Sequence, residues 1–575
     1  MNKPLKLATI FTLSLLVSAC NTSTQNNSTL DNSDQANNNQ GSTDMNQPQS
    51  VDTIIINGNL YNHTNKTAIA ITNGKITRIS SNEQIEALAD DQTQVIDAGG
   101  KLVLPGFIDN HNHLGEGGEV NCLPSTERSL SQQQNLLRRC AQNAAPNQWI
   151  IGYGSAFELE IEQLQNPREL LDQIFPDNPV IIMDHTSHAQ FVNSEAYQLA
   201  GFNQQSPNPQ GGILLKDENG DLNGIVLDNA GDIIMERAVN SVNGKFDFML
   251  EGIEYGLAQA KQNGITTVGD GRTYWRRGMY DAWLEMAQQN RLTARISVRP
   301  WIYPEVNRQE QLNFLHSAYQ NDIEQLLIVN QVKMYSDGMP EYSTGRVIAP
   351  YQFTYFEGFP HGINYISETD MSEWLQALQQ IGYGAHIHAI GDLGVRESLN
   401  AIQTVRENFS ELKYHITHLH MLDPQDLARF ATLNVDADLQ LAEPSFNNAE
   451  RSAWVTDFIG QQRADQIYHT PVKELQQSGA NVILSSDWTV NPISPMHAIA
   501  NAVEEGSLTI DEAINAYTIN PAKALGLETI TGSLEVGKSA DIAIVNTDLL
   551  SATANQIRST KVNYTLLQGE VVYRR

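Results

Sequence analysis

Positive charge is scarce in this chain. Its 575 residues include 36 Lys and Arg against 66 Asp and Glu, which gives a formal net charge of −30. Nucleic acids and anionic membrane surfaces are bound through clusters of basic residues, so this balance argues against both as partners. The excess of carboxylates is typical of a solvated acidic surface on an extracytoplasmic protein. The length exceeds that of one simple core and predicts two or more structural units.

Long uncharged apolar runs are also missing after the first twenty residues. Lys3 and Lys6 precede an apolar stretch at 7–17, the pattern of a signal peptide, and this stretch is too short to remain as a spanning helix. Small residues before Cys20 resemble a bacterial lipobox, so we expect cleavage before Cys20 and lipidation of its thiol. The alternative is an ordinary secretory signal, residues 1–20, with a chance cysteine.

Residues 21–50 contain almost nothing that a folded core could bury. They are rich in Asn, Gln, Ser and Thr, which predicts a disordered tether. Asn21 is not the aspartate that retains similar lipoproteins in the inner membrane. We therefore expect an outer-membrane lipoprotein of a Gram-negative bacterium, facing the periplasm or the cell surface and contacting the membrane only through its lipid.

Cysteine is rare, with three in the whole chain. Once Cys20 is assigned to lipidation, Cys122 and Cys140 remain, and in an oxidising compartment a disulfide between them is favoured. Thiol metal ligands and inert buried thiols are the alternatives. Neither cysteine belongs to a Cys-x-x-Cys pattern, which disfavours the metal alternative.

The order of β-type and helical segments predicts an α/β fold. Short β-type runs occur at both ends of the region after the tether, which indicates one discontinuous β-domain completed by both termini. Between them, strands alternate with helical stretches, and eight strands match a (β/α)8 TIM-type barrel. These are 102–110, 265–269, 295–300, 331–335, 384–388, 414–418, 434–440 and 481–485. The gap after the first strand predicts an inserted lid subdomain at about 115–245.

Histidine, lysine and aspartate side chains cluster at the ends of these strands. His111 and His113 are two residues apart at the end of the first strand, so both imidazoles share one face. In a barrel, catalytic groups lie at the carboxyl ends of the strands. The further candidates are Lys333, His386, His388, His415, His418, His420 and Asp487. Each of these histidines also has an ordinary interpretation as a core or surface residue.

A set of ordered motifs resembles one known family. The motifs are LPGFIDNHNH at 104–113, VKMYSDG at 332–338, HAIGD at 388–392, His418 with DPQDL at 423–427, Ser486–Asp487, and GSLEVGKSAD at 532–541. Over about residues 51–575 the chain resembles the amidohydrolase superfamily, in the amidohydrolase-3 branch of YtcJ-like proteins and N-substituted formamide deformylases. The resemblance implies a barrel at 108–525 and a composite β-sandwich from 51–107 and 526–575.

The resemblance also implies a set of metal ligands, with zinc as the expected metal. His111 and His113 would bind one ion, His388 and His418 a second, and Asp487 would lie beside the nucleophile as a further ligand. Lys333 would bridge the ions after carboxylation, and the alternative is an unmodified lysine with a single ion. The two-residue spacing leaves His386 against His388, and His418 against His420, undecided. The motif selects His388 and His418, and it leaves His386, His415 and His420 as outer groups.

The implied reaction is hydrolysis of a small amide at a C–N bond that is not a peptide bond. Asp487 would accept a proton from the attacking water and deliver it to the departing nitrogen. His188 in the insertion and Trp488 after Asp487 are candidate substrate contacts; packing is an equally typical role for His188, and a large aromatic such as Trp488 is more often a core residue. A dipeptidase-like or N-acyl-amino-acid deacylase activity is the alternative, with Arg272 or Arg346 as the cation for a substrate carboxylate. An inactive lipid-anchored binding or regulatory protein is the alternative of another class.

Overall fold

Strands near both ends of the described chain form two sheets. The computed structural model describes residues 51–118, 122, 130–155, 166–406, 411–443 and 448–575, so the signal segment, Cys20 and the tether lie outside it. The N-terminal sheet has the strand order Lys75–Ser80, Ala68–Thr72, Thr53–Ile56, Gln94–Asp97. The terminal sheet has the order Asn59–Leu60, Leu102–Pro105, Ile542–Val545, Val562–Leu567, Glu570–Arg574. Their apolar faces share one buried cluster, because alternate residues of each strand point to the same side.

The middle of the chain forms two parallel sheets. The four-stranded parallel sheet has the order Leu327–Ile328, Arg295–Ser297, Ile265–Asp270, Phe107–Asn112. The five-stranded parallel sheet has the order Gln331–Tyr335, Gly384–Ala389, Tyr414–His418, Val435–Gln440, Val482–Ser485. Nearly all residues of these strands are buried on both faces, as is typical of parallel strands covered by helices.

Backbone contacts link the two parallel sheets at both of their edges. Asn112 forms a parallel bridge with Trp488, and the Asp487 amide donates to the His111 carbonyl at 2.8 Å. At the other edge, Trp301 forms a parallel bridge with Lys333. These links bring the carboxyl ends of the strands into one region, although the hydrogen-bonded ladders are those of two sheets and not of one continuous sheet.

Helices and short strands complete the described chain, and none of its helices is long and apolar enough to cross a membrane. The α-helices are Asn82–Glu86, Leu130–Asn143, Pro167–Ile174, Ser194–Ala200, Asn229–Ser241, Lys245–Gln262, Met279–Gln288, Arg308–Ala318, Glu368–Gln379, Asp392–Arg406, Leu427–Thr432, Asn448–Ile459, Gln461–Ala464, Val472–Gln477, Pro495–Glu504, Ile510–Asn515, Ile519–Ala524 and Ala554–Arg558. Short 3₁₀ helices are Leu114–Gly118, Trp275–Arg277 and Pro340–Tyr342, and a small strand pair is Met421–Leu422 with Tyr468–His469.

The prediction of one first strand at 102–110 is wrong, because this segment forms two strands. Leu102–Pro105 belongs to the terminal sheet and Phe107–Asn112 to the four-stranded parallel sheet. Gly106 separates them, and a Cβ atom there would lie 2.1 Å from the Thr266 hydroxyl. The chain passes from one sheet to the next through a contact that only glycine permits.

The region between the first and second parallel strands has a sheet of its own. We call it the lid sheet after the predicted insertion, and its order is Gly212–Lys216, Leu222–Asp228, Ala189–Val192, Val180–Asp184, Ile150–Ser155. Cys122 and Cys140 form a disulfide with a Cα–Cα distance of 5.7 Å. Cys140 lies in the helix Leu130–Asn143, and Cys122 forms a backbone bridge with Gly152. The disulfide therefore ties this helix to the edge strand of the lid sheet.

Candidate metal centre

Two of the predicted ligands and Asp487 meet where the two parallel sheets are linked. His111 lies in the strand Phe107–Asn112 and His113 directly follows it, while Asp487 follows the last parallel strand. Asp487 Oδ1 lies 2.9 Å from His113 Nε2 and 3.3 Å from His111 Nε2. The three side chains could hold one metal ion between them.

The other predicted ligands lie beside this group. The rings of His388 and His418 have centroids 4.5 Å apart, and His418 lies 4.9 Å from the His111 ring. Lys333 is fully buried on the neighbouring strand, where it pairs in register with His386. The structure thus brings all six predicted metal-site residues into one buried region.

The donor atoms of this region fit a metal ion. His111 Nε2, Lys333 Nζ and both ring nitrogens of His388 are buried and have no hydrogen-bond partner within the described residues. Burial lowers the pKa of the two imidazoles and of the lysine amine well below their ordinary values, so each ring is neutral with one lone-pair nitrogen and the charged form of the amine is disfavoured. Buried polar atoms are seldom left unpaired, and this nitrogen and carboxylate set is one that zinc accepts.

A chain of three histidines, which we call the histidine relay, orients His111. The Ala524 carbonyl only accepts hydrogen bonds, so His415 Nε2, at 2.9 Å, carries the hydrogen. His415 Nδ1 then accepts from His386 Nδ1 at 3.1 Å, and His386 Nε2 accepts from His111 Nδ1 at 2.7 Å. Burial lowers the pKa of all three rings, which keeps them neutral with one hydrogen each. His111 therefore presents the Nε2 lone pair to Asp487.

A second group, His111 with His386 and Asp438, is also close enough to hold an ion. The relay occupies the facing nitrogens of the two histidines with a hydrogen bond. Asp438 accepts from Asn110 Nδ2 at 2.7 Å and from Ser485 Oγ at 2.5 Å. Because these atoms already have hydrogen-bond partners, we assign the group to the hydrogen-bond network next to the metal centre.

Glu116 orients the other histidine of the pair and was missed by the sequence reasoning. Its Oε1 atom lies 3.0 Å from His113 Nδ1 and 2.7 Å from Arg272 Nε. Burial alone would raise the pKa of Glu116, but Arg272 and His113 hold it well below its usual range. The carboxylate accepts the Nδ1 hydrogen of His113 and leaves Nε2 for the metal centre. The only sequence signal was an acidic residue three positions after His113.

Both candidate cations for a substrate carboxylate have partners. Arg272 is buried against Glu116 and also donates to the Tyr335 hydroxyl at 3.0 Å. Arg346 pairs with Glu397 at 2.7 Å. Each guanidinium would have to share or break its ion pair to bind a carboxylate of a substrate.

The candidate substrate contacts differ in their surroundings. His188 reaches from the lid to within 5.1 Å of the His388 ring, measured between centroids. Trp488 is half-buried and its ring lies 6.1 Å from that of Tyr255, while its carbonyl accepts from the His113 amide at 2.7 Å. Tyr153 of the lid was not predicted. Burial raises its pKa to about 12, and its hydroxyl donates to the His185 carbonyl at 2.9 Å.

His420 is not part of the relay. Its ring lies 6.2 Å from that of His418 and 5.4 Å from that of Trp454. Burial lowers its pKa to about 4, and the Arg451 charge adds to this effect. Of the three outer histidines, the structure joins His386 and His415 to a metal-site residue by hydrogen bonds, and His420 stands apart.

Comparisons with known proteins agree with this geometry. The profile of the amidohydrolase family matches residues 94–573. The N-substituted formamide deformylase of Arthrobacter pascens is 24% identical, covering 92% of this chain and 99% of the relative. YtcJ of Bacillus subtilis, described as an amidohydrolase, is 26% identical, covering 88% and 96%. A metal-dependent hydrolase of uncharacterised function from Pyrococcus horikoshii shares the fold with a TM-score of 0.67 at 21% identity, covering 88% and 99%. The chain belongs to the amidohydrolase family.

Proposed function

We propose that this protein is a metal-dependent hydrolase that cleaves the C–N bond of a small, uncharged, non-peptide amide. The observation that carries the proposal is the convergence of His111 Nε2, His113 Nε2 and Asp487 Oδ1 within one buried group. His388 and His418, whose ring centroids are 4.5 Å apart, are proposed to hold a second ion together with Lys333. Zinc is the proposed metal because the donors are imidazole nitrogens and carboxylate oxygens.

The chain's own residues supply the proton transfer. When bound, the metal provides a water of lowered pKa and polarises the scissile carbonyl. Asp487 Oδ1 lies 2.9 Å from His113 Nε2 and 3.3 Å from His111 Nε2, the two nitrogens that would hold the metal beside it. Asp487 accepts the proton of the attacking water and then delivers it to the departing nitrogen. Burial lowers the pKa of the Lys333 amine and so favours its neutral form, and this amine is proposed to add CO₂ with loss of a proton, giving a carbamate that would supply anionic oxygens to the metal.

The paired arginines support an uncharged substrate. An N-acyl amino acid or a dipeptide carries a carboxylate that a buried site must neutralise. Arg272 and Arg346, the two cations proposed for that task, already pair with Glu116 and Glu397. The name of the Arthrobacter relative indicates a formamide as a class to test first. The complete donor set also favours an enzyme over an inactive binding or regulatory protein.

Three structural assignments are proposed along with the activity. The two parallel sheets, linked at both edges, are proposed as a (β/α)8 barrel. The N-terminal and terminal sheets are proposed as its composite β-sandwich, and the lid sheet as the cover of the metal centre. From the sequence alone we propose lipidation at Cys20 and an outer-membrane location. Labelling with a fatty acid in wild type and in Cys20→Ala tests this, and label retained by the variant would reject it.

The activity is tested on the protein purified without chelator. We expect one to two equivalents of zinc by elemental analysis, after reconstitution with zinc and bicarbonate if needed. A panel of formamides, cyclic amides, N-acyl amino acids and dipeptides should show turnover of uncharged amides only. No stoichiometric transition metal, or turnover only of the carboxylate-bearing substrates, would contradict the proposal.

A further inference from the structure

His188 and Asp228 form a hydrogen-bonded pair on the side of the lid sheet that adjoins the metal centre. His188 precedes the strand Ala189–Val192, and Asp228 ends the neighbouring strand Leu222–Asp228. The Asp228 amide donates to the His188 carbonyl at 2.8 Å, and His188 Nδ1 lies 2.7 Å from Asp228 Oδ1. Both side chains are buried. The first hydrogen bond fixes the backbone of His188, and the second orients its imidazole.

The His188–Asp228 pair packs against residues at the end of the strand Gln331–Tyr335 of the five-stranded parallel sheet. A Cβ atom on Gly338, in the turn after the strand that carries Lys333, would lie 2.5 Å from Asp228 Oδ2. Only glycine at this position lets the carboxylate pack against the turn. The His188 ring lies nearly parallel to the Tyr335 ring, with centroids 5.6 Å apart, and 5.1 Å from the His388 ring. The imidazole is thus fixed over the proposed second metal position.

The pair determines which ring nitrogen carries the hydrogen. A carboxylate oxygen only accepts, so His188 Nδ1 carries the hydrogen and, in the neutral ring, Nε2 keeps the lone pair. Within the described residues Nε2 has no protein partner, and it is not among the atoms sealed from solvent. The accessible nitrogen of His188 is therefore a hydrogen-bond acceptor without a protein donor.

We infer that His188 Nε2 accepts a hydrogen bond from the N–H of the bound amide, so that the enzyme selects amides that keep a hydrogen on nitrogen. This inference rests on the proposed amide hydrolysis and makes its substrate class more specific. The carbonyl oxygen of an amide can only accept, and the N–H is the donor that every primary or N-monosubstituted amide offers. An N,N-disubstituted amide would bury the lone pair of Nε2 unpaired. We expect roughly 10–100-fold lower kcat/KM for such a substrate.

The test compares N-butylformamide with N-butyl-N-methylformamide at about pH 8, where imidazoles are neutral. kcat/KM is measured on zinc-loaded wild type. Dissociation constants are measured on zinc-loaded Asp487→Asn, in which turnover should be slow. Metal content is measured for every variant. His188→Phe removes the acceptor and keeps a ring, while His188→Gln can restore an acceptor through its amide oxygen.

Asp228→Asn tests which nitrogen of His188 carries the hydrogen. The side-chain amide that this substitution introduces can donate to His188 Nδ1, which moves the ring hydrogen to Nε2 and converts the acceptor into a donor. We expect Asp228→Asn and His188→Phe to reduce the preference for the N–H substrate to about threefold or less, and His188→Gln to retain most of it. His316→Gln, on the exposed side of the helix Arg308–Ala318, is the matched control and should behave as wild type.

The possible outcomes distinguish failure of the inference about His188 from failure of the proposed hydrolysis. Equal affinity of the two amides for the protein, or an unchanged preference in His188→Phe, would overturn the inference. Loss of an equivalent of zinc in His188→Phe would also overturn it, because His188 would then be a metal ligand. Selective binding of N-butylformamide without turnover by wild type would reject the proposed hydrolysis and support the acceptor role of His188.

Discussion

Replacing the middle histidine of the relay should weaken metal binding without removing any ligand that we propose. His386→Leu deletes the acceptor that lies 2.7 Å from His111 Nδ1 and the donor that lies 3.1 Å from His415 Nδ1. The Thr417 hydroxyl, 3.2 Å from His111 Nδ1, would then be the remaining partner of that nitrogen among the described residues. The hydrogen of His111 can then move to Nε2, which removes the lone pair that faces the metal centre.

The size of the effect follows from two independent considerations. Loss of a hydrogen-bond partner that orients a metal-binding histidine lowers metal affinity by about 10–100-fold. That range corresponds to roughly 1.4–2.8 kcal/mol at 25 °C. Leaving a buried donor unpaired costs about 1–3 kcal/mol, which is the same range. His386→Gln should fall within a few-fold of wild type, because its amide can accept from His111 and donate to His415.

The assay is an equilibrium competition for zinc between the protein and a chromophoric chelator, with stoichiometry from elemental analysis. His420→Leu is the control, since His420 is also a histidine at a strand end but makes no contact with the relay. Zinc affinity of His386→Leu within twofold of wild type would refute the relay. Loss of one zinc equivalent in both His386→Leu and Asp438→Asn would instead identify the group of His111, His386 and Asp438 as a metal site.

Three further predictions concern the proton shuttle, the disulfide and a buried carboxyl. Asp487→Asn should keep its fold while kcat falls on the order of 10²–10⁴-fold, and near-normal turnover would assign the proton transfer elsewhere. The disulfide closes a loop with a sequence separation of 18, so the double variant Cys122→Ser, Cys140→Ser should lose roughly 3 kcal/mol of unfolding free energy. The loss should be detected first as faster hydrogen exchange in the lid sheet, and unchanged exchange there would reject this role. Burial raises the pKa of Asp436 to about 6, so the stability from this carboxyl should fall by about 2–3 kcal/mol as pH rises from about 4 to about 6 and stay nearly constant above about 7. Asp436→Asn lacks this carboxyl, so the difference in urea-unfolding free energy between wild type and variant should change by that amount over the same pH range. Parallel curves would contradict the shift.

Seven of the eight strands predicted from the sequence alone match observed parallel strands, and the sequence also predicted the family and a set of metal-site candidates. Most of the eight predicted strands lie within a few residues of the observed ones, because strand-like and helical stretches alternate along this part of the sequence. The exception is the first strand, where Pro105 and Gly106 are compatible with one bent strand or with two. The division into two strands depends on the contact between Gly106 and Thr266. Thr266 lies about 160 residues away in the sequence, so the residues around Gly106 do not reveal this contact.

The roles of individual polar side chains were decided only by the tertiary structure. Alternation places His386 and His388 on the same strand face, and no local pattern shows that one meets Ala524 through His415 while the other stacks on Tyr335. Glu116 gained its role from Arg272, and His188 from Asp228, through contacts between elements far apart in sequence. The type of a residue determines what it can donate or accept, and this much the sequence states. Which partner it meets, and therefore which nitrogen keeps its lone pair, depends on packing between distant strands, and only the folded chain determines that.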